Sequence, residues 1–217
     1  MALKIRMPAD ASPSIAPASP IAPVPPAAPA GDDVLPTIPA ARIRLRRLGE
    51  GDIGALFEVF SHPQVMRYWS RPPYESEDDA RILLESIERG AHDGTLLQWG
   101  IARASDDRVI GTCTLAGICH ENGRAEVGFA LGRPHWGQRY ANEALVALLD
   151  HAFGALRLHR IEADVDPRNT PSLRALERLG FVREGYLRQR WAVGGERQDS
   201  VLLGLLASDW SALRASA

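Results

Sequence analysis

The feature that most constrains how this chain folds is a strand pattern that passes through a short loop directly into a helix pattern. The strand covers residues 124–131, and the loop at 132–140 is rich in glycine and basic residues. The helix is indicated by apolar residues at the spacing of one helix face: Ala141, Leu145, Leu148, Leu149 and Ala152. The first amides of a helix have no partner within it, and the helix dipole is positive there. The sequence therefore predicts an anion site at this loop, and a pyrophosphate suits such a site.

A second informative stretch follows the first. Residues 160–165 alternate as a strand does, residues 166–171 have the composition of a turn, and residues 172–179 have helical periodicity. Gly180 is expected to end this helix in the left-handed conformation, with Phe181 packing behind it. This stretch therefore repeats the order of strand, connection and helix.

Together the two stretches resemble the GNAT superfamily of acetyl-CoA-dependent N-acetyltransferases, and within it the branch of the ribosomal-protein N-terminal acetyltransferases (Rim-type). The family's acetyl-CoA loop, Gln/Arg-x-x-Gly-x-Gly/Ala, falls on residues 136–141. Ala141 fits its position, Trp136 stands where Gln or Arg is written, as is common in the Rim-type branch, and Arg139 replaces the central glycine. The downstream match is closer, in Asn169-Thr-Pro-Ser172, Leu176-Glu-Arg-Leu-Gly-Phe181 and Glu184-Gly185. The resemblance covers residues 42–208 in the family's order.

The resemblance implies an α/β fold of the GNAT type, with a mixed, mostly antiparallel sheet whose central strands splay apart and whose faces are flanked by helices. The residue patterns predict the matching order of elements, β-α-α-β-β-β-α-β-α-β-β, within an N-acetyltransferase domain at 41–217. Residues 1–40 hold ten of the chain's 16 prolines and few charges. Because proline removes backbone donors and alanine alone builds no core, we predict a disordered Pro/Ala-rich N-terminal arm there.

The resemblance also implies acetyl-CoA as co-substrate and assigns residues to it. Backbone groups of Phe129, Ala130 and Leu131 would pair with the pantetheine arm. The loop that would hold the pyrophosphate consists of Trp136, Gly137, Gln138, Arg139, Tyr140 and Ala141. Asn169 would contact the pantetheine or the acceptor backbone. Gly137 allows close approach of the backbone, whereas Arg139 is expected to keep an ordinary backbone conformation and to offer its guanidinium to a phosphate.

Acetyl transfer to an amine requires a base, because the ammonium must lose a proton before it attacks. Glu126 on the fourth predicted strand is the leading candidate; the alternative is that it pairs with an arginine on a neighbouring strand. Glu162 is a weaker candidate of the same kind. The family's usual tyrosine acid is replaced by Leu176, which leaves Ser172 as a candidate proton donor for the CoA thiolate. The alternative for Ser172 and Asn169 is capping of the helix that follows.

Aromatic residues and one arginine are candidates for the acceptor mouth. They are Trp69, Arg71, Tyr74 and Trp191. Each aromatic residue could equally fill the core. The six histidines include no pair at metal-ligand spacing, so no metal site is expected.

Composition excludes several classes of partner. The formal net charge of −2 argues against a nucleic-acid-binding protein, which usually carries a basic surplus. No apolar run is long enough to span a membrane. Cys113 and Cys119 lie too far apart on one straight strand for a disulfide, which favours reduced cysteines and a cytoplasmic location.

The sequence leaves the acceptor open. The Rim-type resemblance favours a protein N-terminal amine. The alternatives are a small amine such as a polyamine or an aminoglycoside, or a non-catalytic domain that only binds acyl-CoA. A homodimer is also left open.

Overall fold

A computed structural model describes residues 35–216 of the chain. Its strands are β1 (Ile38–Pro39), β2 (Ile43–Arg46), β3 (Leu96–Arg103), β4 (Val109–Cys119), β5 (Arg124–Leu131), β6 (Arg160–Val165), β7 (Val182–Val193) and β8 (Glu196–Leu206). Its α-helices are α1 (Ile53–Phe60), α2 (Pro63–Met66), α3 (Glu77–His92), α4 (Tyr140–Gly154), α5 (Thr170–Arg178) and α6 (Ala207–Ala215). Single turns of tighter helix lie at Glu50–Asp52 and Arg133–His135.

The strands form one sheet in the order β1-β2-β3-β4-β5-β6-β8-β7. Neighbouring strands are antiparallel except β5 and β6, which run parallel. A parallel pair needs a crossover connection, and α4 provides it. The predicted α/β fold, with a mostly antiparallel sheet flanked by helices, is confirmed.

The sheet carries a hydrophobic core on each face, because side chains alternate between the faces along a strand. On β5, Val127, Phe129 and Leu131 enter the core that contains the apolar residues of α4 and α5. Ala130 enters the core built with α1, α2 and α3. We call these two sides the α4 face and the α1–α3 face. By the same alternation Glu126 lies on the α1–α3 face.

Strands β5 and β6 part soon after they meet. They pair only at Arg124–Glu126 with Arg160–Glu162. Beyond this point β5 stays paired with β4 as far as Leu131, and β6 stays paired with β8 as far as Val165. We call the gap between residues 127–131 and residues 163–165 the slot. The splay that was expected of the central strands is therefore present.

The folded domain begins earlier than the predicted boundary at residue 41. Ile38 pairs with Leu45 across β1 and β2, and Leu35 and Ile38 pack against the core. The Pro36 carbonyl accepts a hydrogen bond of 3.0 Å from the indole of the buried Trp99. The predicted boundary rests on composition and periodicity, and the two-residue strand β1 is too short to show a period. The predicted disorder of residues 1–34 falls outside the described residues.

Local capping explains where several helices begin. Asp79, the third residue of α3, accepts from the backbone amides of Glu75 and Ser76 and so caps the start of this helix. The segment between α1 and α3 contains the short helix α2, which has proline at its first position. The final helix, α6, begins at Ala207, directly after the end of β8. Within residues 35–216, no helix is long and apolar enough to cross a membrane.

Candidate active site

The slot leaves one edge of β5 without a strand partner. The Gly132 amide donates to the Ile110 carbonyl on β4. Because backbone groups alternate in direction along a strand, Phe129 and Leu131 turn theirs away from β4 and toward the slot. The Trp136 indole already donates to the Leu131 carbonyl at 2.6 Å. A ligand with amide groups could therefore pair with this edge, and the free groups of Phe129 are the ones available to it.

The loop that follows β5 has the geometry of an anion site. Gly137 has a φ of +76°, and a side chain added there would meet no other atom within 4 Å. Arg139 has a φ of +65° and is the residue that precedes α4. The expectation that Arg139 keeps an ordinary backbone conformation is wrong, because the chain must reverse at this point to start the helix. The left-handed turn directs the first amides of α4 outward, where an anion can reach them.

A cavity of about 480 Å³ lies at this loop. Its lining contains most of the residues predicted to bind the cofactor, together with others: Leu131, His135, Trp136, Gly137, Arg139, Tyr140, Ala141, Asn142, Ala175 and Arg178. Phe129 and Ala130 are fully buried in the strand. The Gln138 side chain turns away and donates to the Pro134 carbonyl at 3.0 Å. The dimensions, the outward amides and the basic lining fit the pyrophosphate end of a CoA molecule.

The loop is held by an arginine that lies just before β2, near the edge of the sheet. Arg42, just before β2, donates to the Gln138 carbonyl at 3.1 Å and pairs with Glu143 at 2.9 Å. Its guanidinium also lies 4.6 Å from the centre of the Tyr140 ring. Glu143 lies in the first turn of α4, where its charge would otherwise oppose an incoming phosphate. Arg42 therefore orders the loop and neutralises that charge.

Glu126 and Glu162 face each other where the slot begins. They are the last residue pair that joins β5 to β6. Glu162 accepts from Arg124 at 3.2 Å and from Arg160 at 2.8 Å, so it is held in an ion-pair network. Glu162 is thus paired with two arginines, and the arginine pairing considered for Glu126 stays an open alternative. Glu126 is half-buried at the same end of the pairing, beside the slot, and its role as the base stays a prediction.

Asn169 and Ser172 lie where β6 passes into α5. Asn169 is the residue that precedes α5, but its side chain makes no capping hydrogen bond. Ser172 is the third residue of the helix and fully buried, so it is not in a capping position. Ser172, Ala175 and Arg178 recur every three residues along one face of α5, and the last two line the cavity. A ligand that follows this face from the cavity would approach Ser172.

The structure places the predicted acceptor residues in two groups. Trp69 and Tyr74 are buried and pack on Phe60, with ring centres 5.3 Å apart in both cases. Arg71 covers the Tyr74 ring at 4.4 Å, and burial raises the pKa of Tyr74 to about 12. Trp191 lies apart from them on β7 and donates to Asp164 at 3.1 Å. Their part in acceptor binding stays a prediction.

Arg178 and His135 line the cavity but are not among the residues predicted from the sequence to bind the cofactor. Arg178 comes from α5, and only the three-residue spacing from Ser172 could have indicated that it returns to the loop. His135 precedes the motif and faces the Tyr140 ring. Burial, and to a smaller extent the charges of Arg103 and Arg108, lower the pKa of His135, so its ring is neutral near pH 7. Among residues 35–216, no cluster of side chains suited to a metal ion is present.

Comparison with known proteins identifies the family. Residues 42–182 match the acetyltransferase (GNAT) domain. The chain is 37% identical to the uncharacterized N-acetyltransferase p20 of Bacillus licheniformis, over 81% of this chain and 98% of that protein. Its fold matches a spermidine N-acetyltransferase from Vibrio cholerae, solved in complex with CoA and spermine, with a TM-score of 0.70 and 28% identity over 78% of this chain and 98% of that chain. A GCN5-related N-acetyltransferase from Brucella melitensis gives a TM-score of 0.75 with 25% identity over 87% of this chain and 85% of that chain.

The domain match covers the strand, loop and helix that form the slot and the cavity. The Rim-type branch is not distinguished by these relatives, which include spermidine acetyltransferases. What they share with this chain is the acetyltransferase domain itself. The chain belongs to the GNAT family of acetyltransferases and is an acetyl-CoA-dependent acyltransferase.

Proposed function

We propose that this acyltransferase acetylates a primary amine of a small polycationic acceptor of the polyamine class. The observation that carries the proposal is the slot, which extends along β5 from the loop cavity at Leu131 to the Glu126 carboxylate. Glu162 and Asp164 share the α1–α3 face with Glu126, and Oδ1 of Asp164, which has no hydrogen-bond partner among residues 35–216, is open there to a cationic acceptor. Two spermidine acetyltransferases among the relatives support this class of acceptor.

The residues of the chain hold the co-substrate in three places. The amides of residues 137–141 and the guanidiniums of Arg139 and Arg178 would bind the pyrophosphate. The free edge of β5 would pair with the pantetheine arm, with Asn169 opposite it. Acetyl-CoA supplies the activated acyl group as a thioester.

Proton movements are assigned to two side chains. Glu126 takes a proton from the acceptor ammonium, directly or through water, so that the amine nitrogen can attack the thioester carbonyl. The new C–N bond forms as the C–S bond breaks, and the nitrogen releases its second proton to solvent as it becomes the amide. Ser172 gives a proton to the departing thiolate and recovers one from solvent. The thiol pKa near 8.5 makes solvent an adequate alternative donor.

A protein N-terminal amine is the second candidate acceptor. The observation that favours it is Trp136, which occupies the loop position where the Rim-type branch commonly has tryptophan. Its indole fixes the Leu131 carbonyl at the mouth of the slot.

One assay separates these candidates. Release of CoA thiol from acetyl-CoA is measured with spermidine, with an aminoglycoside and with short peptides that have free N-termini. We expect spermidine to give the largest kcat/KM. A larger kcat/KM with a peptide would transfer the assignment to protein N-termini. CoA binding without turnover on any amine would indicate a binding domain.

A further inference from the structure

Five buried polar side chains lie on β4, β6 and β8, on either side of β5 and the slot. They are Thr112, Thr114, Asp164, Gln198 and Ser200, and none is more than 4% exposed. Each has a side-chain oxygen without a hydrogen-bond partner among residues 35–216. Buried polar atoms are normally paired, and a group of unpaired oxygens in one place is uncommon. All five oxygens can accept a hydrogen bond, so the complement of this group is a ligand rich in N–H donors.

The sheet register brings these side chains to one face. Cys113 and Leu115 on β4 enter the core of the α4 face, so Thr112 and Thr114 point to the α1–α3 face. The same alternation on β6 puts Asp164 opposite to its neighbours Ala163 and Val165.

On β8, Val201, Leu203 and Leu205 belong to the α4 face, which leaves Gln198 and Ser200 with Asp164. The polar group is therefore on the same side as Glu126.

The slot runs through the middle of this group. Thr114 is level with Gly128 and Thr112 with Ala130, so the β5 positions between the threonines and the slot carry the smallest side chains. On the other side, Asp164 pairs with Leu202 of β8, and Ser200 lies diagonally across from it. These two β5 positions carry at most a methyl group, and the unpartnered oxygens lie on the strands to either side of β5.

Asp164 is held so that one oxygen stays available. Arg190 donates to its Oδ2 at 2.7 Å, and the Trp191 indole donates to the same atom at 3.1 Å. Oδ1 is the atom without a partner. Two donors on one oxygen fix the carboxylate plane, and they leave the second oxygen for a ligand.

We propose that Asp164, supported by Ser200 and Gln198, binds a second ammonium group of the acceptor. The inference rests on the proposed function and deepens it. Asp164 lies two residues beyond Glu162, the partner of Glu126, which is a displacement of roughly 7 Å along the strand. An amine that reacts beside Glu126 would thus reach Asp164 with a second nitrogen at the end of a short alkyl chain. The substrate class is a diamine or polyamine rather than a monoamine.

The test compares two acceptors that differ in one nitrogen, putrescine and butylamine. In Asp164→Asn we expect KM for putrescine to rise about tenfold or more, the effect of losing one charge-assisted hydrogen bond, with kcat nearly unchanged. KM for butylamine should stay near the wild-type value. Ser200→Ala removes one hydroxyl and should raise KM for putrescine by a smaller factor.

Asp150→Asn is the matched control. Asp150 also accepts from an arginine and a tryptophan, Arg214 and Trp210, but it lies on α4. Its substitution should leave both KM values unchanged. If Asp164→Asn does not fold, as judged by its melting temperature, the inference is tested by the KM of Ser200→Ala for putrescine, which should rise while its KM for butylamine stays unchanged.

The outcomes for this inference and for the proposed function are distinct. If the ratio of KM for butylamine to KM for putrescine is the same in wild type, Asp164→Asn and Ser200→Ala, the inference is overturned and the proposed function stands. A wild-type enzyme that acetylates neither amine would overturn the proposed function as well.

Discussion

Arg139 holds the left-handed conformation at the entrance to α4, where glycine would be free of strain. Left-handed backbone costs an L-residue roughly 1–2 kcal/mol. Its guanidinium lines the cavity, which gives the chain a reason to keep it. Arg139 therefore lowers the stability of the backbone at this position, and its side chain places a positive charge beside the predicted phosphates.

Arg139→Gly is expected to change stability and affinity in opposite directions. The melting temperature should rise by an amount that corresponds to about 1 kcal/mol, since the strain is removed. The affinity for CoA should fall by about tenfold, since one charge-assisted contact is lost. Thermal denaturation and calorimetry measure the two effects. A variant that loses stability would show that the conformation is not strained.

Glu126→Gln tests the assignment of the base. We expect kcat to fall by about 10²-fold or more and the acid limb of the pH profile to flatten. CoA affinity should remain unchanged, because Glu126 lies at the far end of the slot from the loop.

Glu162→Gln serves as the control for this variant. It should lower stability through the loss of its bonds to Arg124 and Arg160, and it should keep the acid limb. If Glu162→Gln instead flattened the acid limb and Glu126→Gln kept it, Glu162 would be the base.

Ser172→Ala separates proton donation from a structural role. If Ser172 protonates the thiolate, kcat should fall by about 10²-fold with little loss of stability. Thr170→Ala is the matched control, because Thr170 is the exposed first residue of the same helix. Wild-type turnover in a destabilised Ser172→Ala protein would leave solvent as the proton donor.

At the scale of elements, β1 contributes more than its two residues suggest. It forms one edge of the sheet and carries Ile38 onto the core. The preceding Pro36 carbonyl is the acceptor for the buried Trp99 indole. The segment 35–40 therefore closes the core beside β2.

Truncation tests this contribution. A chain that starts at Ala41 should be less stable than one that starts at Leu35 by about 1–3 kcal/mol, the cost of leaving the indole donor unpaired. Chemical denaturation of the two chains gives the difference. In a Trp99→Phe background the truncation should cost less, since no indole is left to satisfy. Equal costs in both backgrounds would contradict the role given to the hydrogen bond.

The elements that the sequence predicts correctly are those with a clear period. Strand β5 and helix α4 are visible from alternation and from the spacing of Leu145 and Leu148, and the short loop between them follows from their order. Strand β1 and helix α2 are too short to show a period. The oxygens around the slot could not be foreseen, since Thr112 and Ser200 meet only through the order of strands in the sheet. The φ of Arg139 was missed because arginine seldom adopts it.

At the scale of the whole molecule, a half-buried histidine links stability to pH. His151 on α4 faces the Trp99 ring at 5.7 Å, and its Nε2 has no hydrogen-bond partner within the described part of the chain. Burial lowers the pKa of His151 below its usual value of 6.5. As the pH falls below about 6.5, the unfolded chain takes up a proton that the folded chain does not, so stability decreases.

His151→Phe removes this titration and keeps a ring against Trp99. We expect its melting temperature to fall less between pH 7 and pH 5 than that of the wild type. His120→Gln, a change at an exposed histidine, should leave the wild-type dependence intact. His135, whose pKa is also lowered, would account for part of the remaining slope. An unchanged slope in His151→Phe would contradict this account.

The short pairing of β5 with β6 also has a mechanical consequence. In the described chain, three residue pairs are the only backbone ladder between the half-sheet β1–β5 and the half-sheet β6–β8. Relative twisting of the two halves is therefore expected to be among the softest motions of the sheet. A ligand paired with the free edge of β5 and packed against α5 would stiffen that motion. Cofactor occupancy would then be reported by slower amide exchange across both halves of the sheet, well beyond the residues that touch the ligand.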